Sequence, residues 1–282
     1  MHLFVRLLGL VGQNQLIGLV QSHFFGCIVT KFIADFTSFR ATYLEKSKTI
    51  YQQGTGPDVV ILPESPGLHQ AVFELGRRIA QAGFRVHLIS FFDYGGKPFQ
   101  YRAALRCVLK SCIRREFAMF SAHRSSPLTD WVRAFCSDLH RETGNGIGLI
   151  GMCLTGNFAL GLLAEPWMLA PVLAQPSLPI GQPKGLHVSP EILQKAKRNP
   201  DLQVLGLRFS GDIMCPKQRF GSLRKTFPTQ FNAIEIDSSI GNPHGISPIA
   251  HSVLTKDFVD KAGHPTSLAL EKTLRFLTER LY

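Results

Sequence analysis

From Asp58 onward the apolar residues fall into two alternating rhythms, short unbroken runs of strand length and longer stretches with helical spacing. Residues 58–62 (Asp-Val-Val-Ile-Leu) predict a strand buried on both faces, followed by a loop over 63–67. Over 70–82, Val72, Phe73, Leu75 and Ile79 share one helical face and Gly83 follows as a stop. Residues 85–92 predict the next strand, 93–98 a loop, 102–120 a helix, and 128–141 a second helix opened by Pro127. Residues 146–151 predict another doubly buried strand, 154–164 a buried helix, 169–174 a strand, 176–190 a Pro/Gly-rich loop and 190–198 a short helix. The last strands are expected over 203–210 and 231–237, and an amphipathic helix over 266–281 closes the chain. This alternation predicts an α/β fold, a mainly parallel sheet with helices on both faces.

The 282 residues, 45% of them hydrophobic, suffice for one large core, and no internal repeat or low-complexity tract is visible. We expect one domain over 35–282 preceded by an extension over 1–34. The apolar stretches of that extension are interrupted at Gln13–Gln15 and Gln21–His23, too short to cross a bilayer. Arg6 precedes a short apolar stretch without a clear small-residue cleavage site. Export is therefore the lesser reading, and a docking segment or a translation start placed too far upstream the favoured one.

The net charge of +11 draws heavily on 97–141, through Arg102, Arg106, Lys110, Arg114, Arg115, Arg124 and Arg133. Acidic residues (Glu116, Asp130, Asp138, Glu142) interrupt this stretch and no nucleic-acid motif accompanies it, so it reads as a solvated helical face rather than a nucleic-acid surface. Six cysteines in a chain this long make no disulfide scaffold, and there is no Cys-x-x-Cys pair. The histidines lack metal-ligand spacing and no phosphate-cradling loop is present, so no metal or cofactor is expected. A reduced, cytoplasmic setting suits a working thiol best.

The most informative segment is Gly151-Met152-Cys153-Leu154-Thr155-Gly156, which sets a cysteine where a buried strand turns into a helix. There a thiol meets the positive end of the helix dipole and unpaired backbone N–H groups, both of which favour thiolate. This is the nucleophile-elbow pattern with sulfur in place of the usual oxygen. Cys27, Cys107, Cys112, Cys136 and Cys215 read instead as small apolar or loop residues.

A thiol nucleophile needs a base and a group that orients the base. Asp212 directly follows the strand over 203–210, where open α/β sheets place their ligands, although it also suits a cap for a helix beginning near Pro216. Between the last strand and the last helix stand His244, His251 and His264, and spacing does not choose among them.

The set of Gly-x-Cys elbow, Gly-Asp after a strand and His-Ser-Val-Leu-Thr in a late loop resembles the dienelactone hydrolase family of α/β-hydrolases, over roughly residues 35–282. The resemblance implies Cys153, Asp212 and His251 as the triad. It also maps a family glutamate onto Glu64, in Ile61-Leu62-Pro63-Glu64-Ser65-Pro66-Gly67, where it would contact the thiol and help set its ionisation. The Ser65 and Leu154 N–H groups would form the oxyanion hole. Two departures stand out. Thr155 replaces the first of the family's paired glycines, so the elbow is expected to be wider or Thr155 to line the pocket. The arginines that hold a substrate carboxylate in the family have no assigned counterpart, with Arg102, Arg114 and Arg208 as candidates.

The function this implies is cleavage of a small-molecule ester or lactone through a Cys-His-Asp triad and a thioester acyl-enzyme. The alternative is a catalytically silent hydrolase scaffold that binds a ligand or a protein partner. Neither the substrate nor the oligomeric state follows from the sequence.

Overall fold

The computed structural model describes residues 32–92, 94–113 and 126–282. Most of the N-terminal extension and residues 114–120 of the helix expected over 102–120 lie outside the described residues. One sheet carries β1 (Thr37–Tyr43), β2 (Lys46–Gln53), β3 (Asp58–Leu62), β4 (Arg85–Ile89), β5 (Ile147–Met152), β6 (Met168–Ala174), β7 (Val204–Phe209) and β8 (Phe231–Ile236). Their spatial order is β1-β2-β4-β3-β5-β6-β7-β8. β2 pairs antiparallel with β1 and β4, and every other neighbouring pair is parallel. The described residues thus form a single α/β domain of the α/β-hydrolase type.

β3 and β5 are buried along their whole length because they lie at the centre of the sheet with both faces covered. Successive residues alternate between the two cores: Val59 and Ile61 join one, Val60 and Leu62 the other. The first core is closed by α1 (Gln70–Gln81) and, at the chain end, by the helix Pro265–Leu281. On the opposite face lie α2 (Tyr101–Ile113) and α3 (Pro127–Thr143), the latter inserting Trp131 and Phe135. Ser126 caps α3 by accepting the Thr129 N–H, Pro127 opens it, and Gly144 ends it at φ 70°. The remaining helices are α4 (Gly156–Leu160), α5 (Pro190–Lys197) and α6 (Lys217–Thr226), so the closing helix is α7 (Pro265–Leu281).

Three expectations are corrected. β1 and β2 form an antiparallel hairpin that the apolar pattern did not predict, because both strands are partly exposed and rich in polar residues. The helix expected over 154–164 is a single turn of 3₁₀ helix (Cys153–Thr155) followed by the short α4. Beyond α4 the chain tightens into turns in which Leu162, Leu163 and Glu165 bond back three residues, so apolar density overstated the helix. The strand expected over 85–92 also ends early, at Ile89.

All the parallel strands end on one side of the sheet. The chain runs from β3 outward to β4 and then returns to β5 on the other flank of β3, which makes the C-terminal ends of β3 and β5 a topological switch point. Glu64 follows β3, Cys153 follows β5, Gln175 follows β6 and Asp212 follows β7.

Candidate active site

Cys153 is buried and holds φ at 56°, a left-handed conformation that a non-glycine residue adopts at a cost. The close return of the chain explains the glycines on either side. A Cβ on Gly151 would lie 2.7 Å from the Thr155 carbonyl oxygen and 2.8 Å from the Ala159 Cβ, and one on Gly156 would lie 3.1 Å from Pro176. Thr155 packs inside the protein. It is fully buried, and its Oγ1 lies 2.8 Å from both the Leu62 and Met152 carbonyl oxygens while accepting the Met152 N–H at 3.0 Å. The hydroxyl therefore ties the end of β5 to the end of β3.

Of the three histidines left open by spacing, the fold brings His251 to Asp212. His251 Nδ1 donates to Asp212 Oδ2 at 2.7 Å. The other carboxylate oxygen of Asp212 accepts the N–H groups of Met214 at 2.9 Å and Cys215 at 3.1 Å, so Asp212 caps its own turn as well as holding the ring. His251 Nε2 is buried with no hydrogen-bond partner among the described residues. Burial opposes charge on this ring, but the Cys153 sulfur and the Asp212 carboxylate outweigh it and hold the His251 pKa well above its ordinary 6.5. His264 is used elsewhere, as the N-cap of α7, and His244 packs edge-on against it. Burial pushes the Cys136 and Cys215 thiols up, which keeps them protonated at neutral pH.

Glu64 is buried and makes its hydrogen bonds away from the thiol. Oε1 accepts from His69 Nε2 at 3.1 Å and from the Thr255 hydroxyl; Oε2 accepts from Ser252 Oγ at 2.6 Å and Gln175 Nε2 at 3.3 Å. The expected contact with Cys153 is not among them. Burial would raise the Glu64 pKa, but His69 and the two hydroxyls outweigh it and hold the carboxyl below its ordinary value. Because Ser252 and Thr255 belong to the loop that carries His251, this carboxylate anchors the base loop to the end of β3. Asp257 anchors the same loop from the other side, accepting the N–H groups of His251 and Ser252 at 2.9 Å each. The backbone N–H of Ser65 has no acceptor among the described residues, and that of Leu154 opens a helical turn, where N–H groups have no partner within the helix.

The arginine candidates separate clearly. Arg208 is corrected: it is buried, with its guanidinium bonded to Glu235 at 2.5 Å and to the Cys215 and Ser210 carbonyls at 2.9 and 3.0 Å, so it serves the fold rather than a substrate. Arg102 is exposed on α2, and Arg114 lies outside the described residues. The basic helical face has partners of its own where it is described, as in Arg133 with Asp130 and Glu165. The residues missed by sequence reasoning are Gln175, Ser252, Thr255, Asp257 and Arg219. Only Ser252 and Thr255 carried a signal, as hydroxyls flanking a candidate base. Among the described residues no cluster of His, Cys, Asp and Glu is arranged to hold a metal, and no helix is long and apolar enough to cross a membrane.

The family model described as the dienelactone hydrolase family matches residues 41–279. Among solved structures, a dienelactone hydrolase-like promiscuous phosphotriesterase, P91 from metagenomic libraries, is 16% identical, with 88% of this chain and 100% of that one covered at a TM-score of 0.57. A dienelactone hydrolase from Anabaena variabilis ATCC 29413 is 14% identical, with 88% and 100% covered at 0.54. A cold-adapted esterase from an Arctic intertidal metagenomic library is 13% identical, with 87% and 93% covered at 0.54. At these identities the likeness to solved structures is one of fold. Comparison with curated proteins gives no significant match.

Proposed function

Since the chain belongs to the dienelactone hydrolase family, we propose that it cleaves a small-molecule ester or lactone through Cys153, His251 and Asp212. The observation that carries this reading is the left-handed Cys153 at the end of β5 together with a His251 ring held at 2.7 Å by Asp212, its far nitrogen unpartnered and its charge favoured by the Cys153 sulfur. A cation between a carboxylate and a sulfur is the resting state a thiolate nucleophile requires.

The Cys153 thiolate adds to the substrate carbonyl carbon, and the Ser65 and Leu154 N–H groups take the oxyanion, each worth about 3 kcal/mol in the transition state. His251 passes its proton to the departing alkoxide, leaving a thioester on Cys153. Neutral His251 then takes a proton from water as the water oxygen attacks the thioester. Collapse expels the thiolate, restores the thiolate–imidazolium pair and releases the acid. Glu64 acts through the 252–255 segment, keeping His251 in register, and no cofactor takes part.

Residues 35–282 form the hydrolase domain in this reading, with 1–34 as a separate extension, and a reducing compartment such as the cytoplasm preserves the thiol. The alternative of a silent scaffold drew on Thr155, whose hydroxyl instead knits the elbow together. The test is turnover of p-nitrophenyl acetate and a lactone panel by wild type and Cys153→Ala, with mass spectrometry of quenched wild type. Turnover that disappears in the variant, with an acetyl group trapped on Cys153, is expected. Unchanged turnover in the variant, or acylation of another residue, would overturn the proposal.

A further inference from the structure

Beside the triad lies a cavity of about 510 Å³ whose walls come from the loop after β6 and the turn after β7. That volume falls in the range of small-molecule sites. It adjoins the machinery on two sides. The N–H of Ser177, in its wall, donates to the Cys153 carbonyl at 3.1 Å, and Met214, also in its wall, donates its N–H to Asp212. The lining is mostly apolar where it meets solvent, with Ile180 55% and Ile213 85% exposed, and its exposed polar side chains, Gln182 and Gln218, carry no charge. Gly211 approaches Pro248 so closely that a Cβ there would lie 2.5 Å from the Pro248 oxygen, which sets Ile249, 75% exposed, on the loop packed against the same turn. Ile180 and Ile213 thus give an apolar edge to a cavity whose wall is hydrogen-bonded to Cys153 and Asp212, although no triad residue itself lines it.

Among the described residues the only charged one in the lining is Arg219, and it has nothing left to offer a ligand. Its Nε donates to the Gly185 carbonyl, its Nη1 to those of Pro176 and Met214, and its Nη2 to those of Pro179 and Gln182, at 2.9–3.1 Å. A guanidinium has five N–H donors, and all of them are engaged. A substrate carboxylate entering here would lose its water and find no donor on that side chain to replace it, an unfavourable exchange. Arg208, the other buried arginine nearby, is paired with Glu235, and Arg102 is not part of the lining.

We propose that this cavity holds the apolar acyl chain of a neutral ester, so that the enzyme prefers medium-length uncharged acyl groups over carboxylate-bearing ones. The proposal rests on the hydrolase reading above, since it is the acyl part that stays bound to Cys153 through the second half of the reaction.

The test compares kcat/KM for p-nitrophenyl acetate, butyrate and hexanoate with that for the p-nitrophenyl monoester of adipic acid, whose chain is of similar length but ends in a carboxylate. Each buried methylene is worth a factor of about three to four, so hexanoate is expected to exceed acetate by tenfold or more even with partial burial. The adipate monoester is expected to fall at least tenfold below hexanoate. Ile180→Asp, checked for an unchanged circular dichroism spectrum, lowers the hexanoate-to-acetate ratio. Acetate as the best substrate, an adipate monoester cleaved as fast as hexanoate, or a preference that tracks only the alcohol in a series of alkyl acetates would overturn the proposal while leaving the hydrolase reading intact. If wild type cleaves no ester, the hydrolase reading falls instead. The cavity assignment is then judged by direct titration of Cys153→Ala, in which hexanoate ester must bind at least tenfold more tightly than adipate monoester.

Discussion

Replacing Thr155 by valine isolates the hydroxyl that ties the elbow together, because the two side chains have nearly the same shape. In the wild type the buried Oγ1 accepts the Met152 N–H at 3.0 Å and has the Leu62 and Met152 carbonyl oxygens at 2.8 Å, although its single proton serves only one of them fully at a time. Valine removes the acceptor and the donor together. Leaving a buried N–H without that acceptor costs about 1–3 kcal/mol, and the lost O–H donation adds about 1 kcal/mol. The sum of roughly 2–4 kcal/mol corresponds to a melting-temperature drop of roughly 5–10 °C for a domain of this size. Thr155→Ser keeps the hydroxyl and gives up one methyl, about 0.8 kcal/mol. Urea unfolding followed by far-ultraviolet circular dichroism measures both variants, with an unchanged slope confirming that the midpoint shift reports stability. Valine is expected to be clearly less stable than serine. If valine matches wild type within about 1 °C while serine is the weaker of the two, methyl packing holds the elbow and the hydrogen-bond argument is wrong.

His251 carries a raised pKa in the folded protein, so its ionisation stabilises the fold fully below the ordinary value of 6.5 and that contribution is lost as pH rises through the folded pKa. Both Asp212→Asn and Cys153→Ala should therefore lower the His251 titration midpoint read by nitrogen NMR of the imidazole, and a midpoint indifferent to both would remove the proposed cation. Gly151→Ala should destabilise by about 1–3 kcal/mol, since its Cβ would press on backbone and on Ala159 rather than on a movable side-chain tip, and a melting temperature equal to wild type would contradict that packing. Arg219→Met should free the loop after β6, because five carbonyls lose their shared donor, and limited proteolysis should then cut within 177–185 far faster than in wild type. Equal cutting rates would show that the loop is held by its other contacts.

What could be read from the sequence follows from which elements bury both faces and which do not. β3 and β5 appear as unbroken apolar runs because helices cover them on both sides, and α3 carries its Ser-Pro start and glycine stop in plain view. The β1–β2 hairpin carries neither signal. Its turn places Leu44 and Glu45 at φ 50° and 61°, a conformation that Asn-Gly would have advertised and Leu-Glu conceals. The elbow was legible because strand, cysteine and glycines are contiguous, whereas the choice of His251 depends on which loop the sheet order brings against Asp212. Glu64 was found by position and misjudged by contact. Its partners arrive from β6, in Gln175, and from the base loop, in Ser252 and Thr255, and no spacing within one segment encodes such a meeting.

The arginines show the same limit most sharply. In the sequence Arg208 stands as a candidate for holding a substrate carboxylate, whereas nothing sets Arg219 apart from the other basic residues. In the fold one is paired with Glu235 and the other is surrounded by five carbonyl oxygens. A buried guanidinium must have its donors satisfied before the chain is stable, so the fold claims these two before any ligand can. Positive charge in the sequence therefore does not by itself name an anionic substrate: the loops that shape the cavity turn their carbonyls toward Arg219, whose donors hold them.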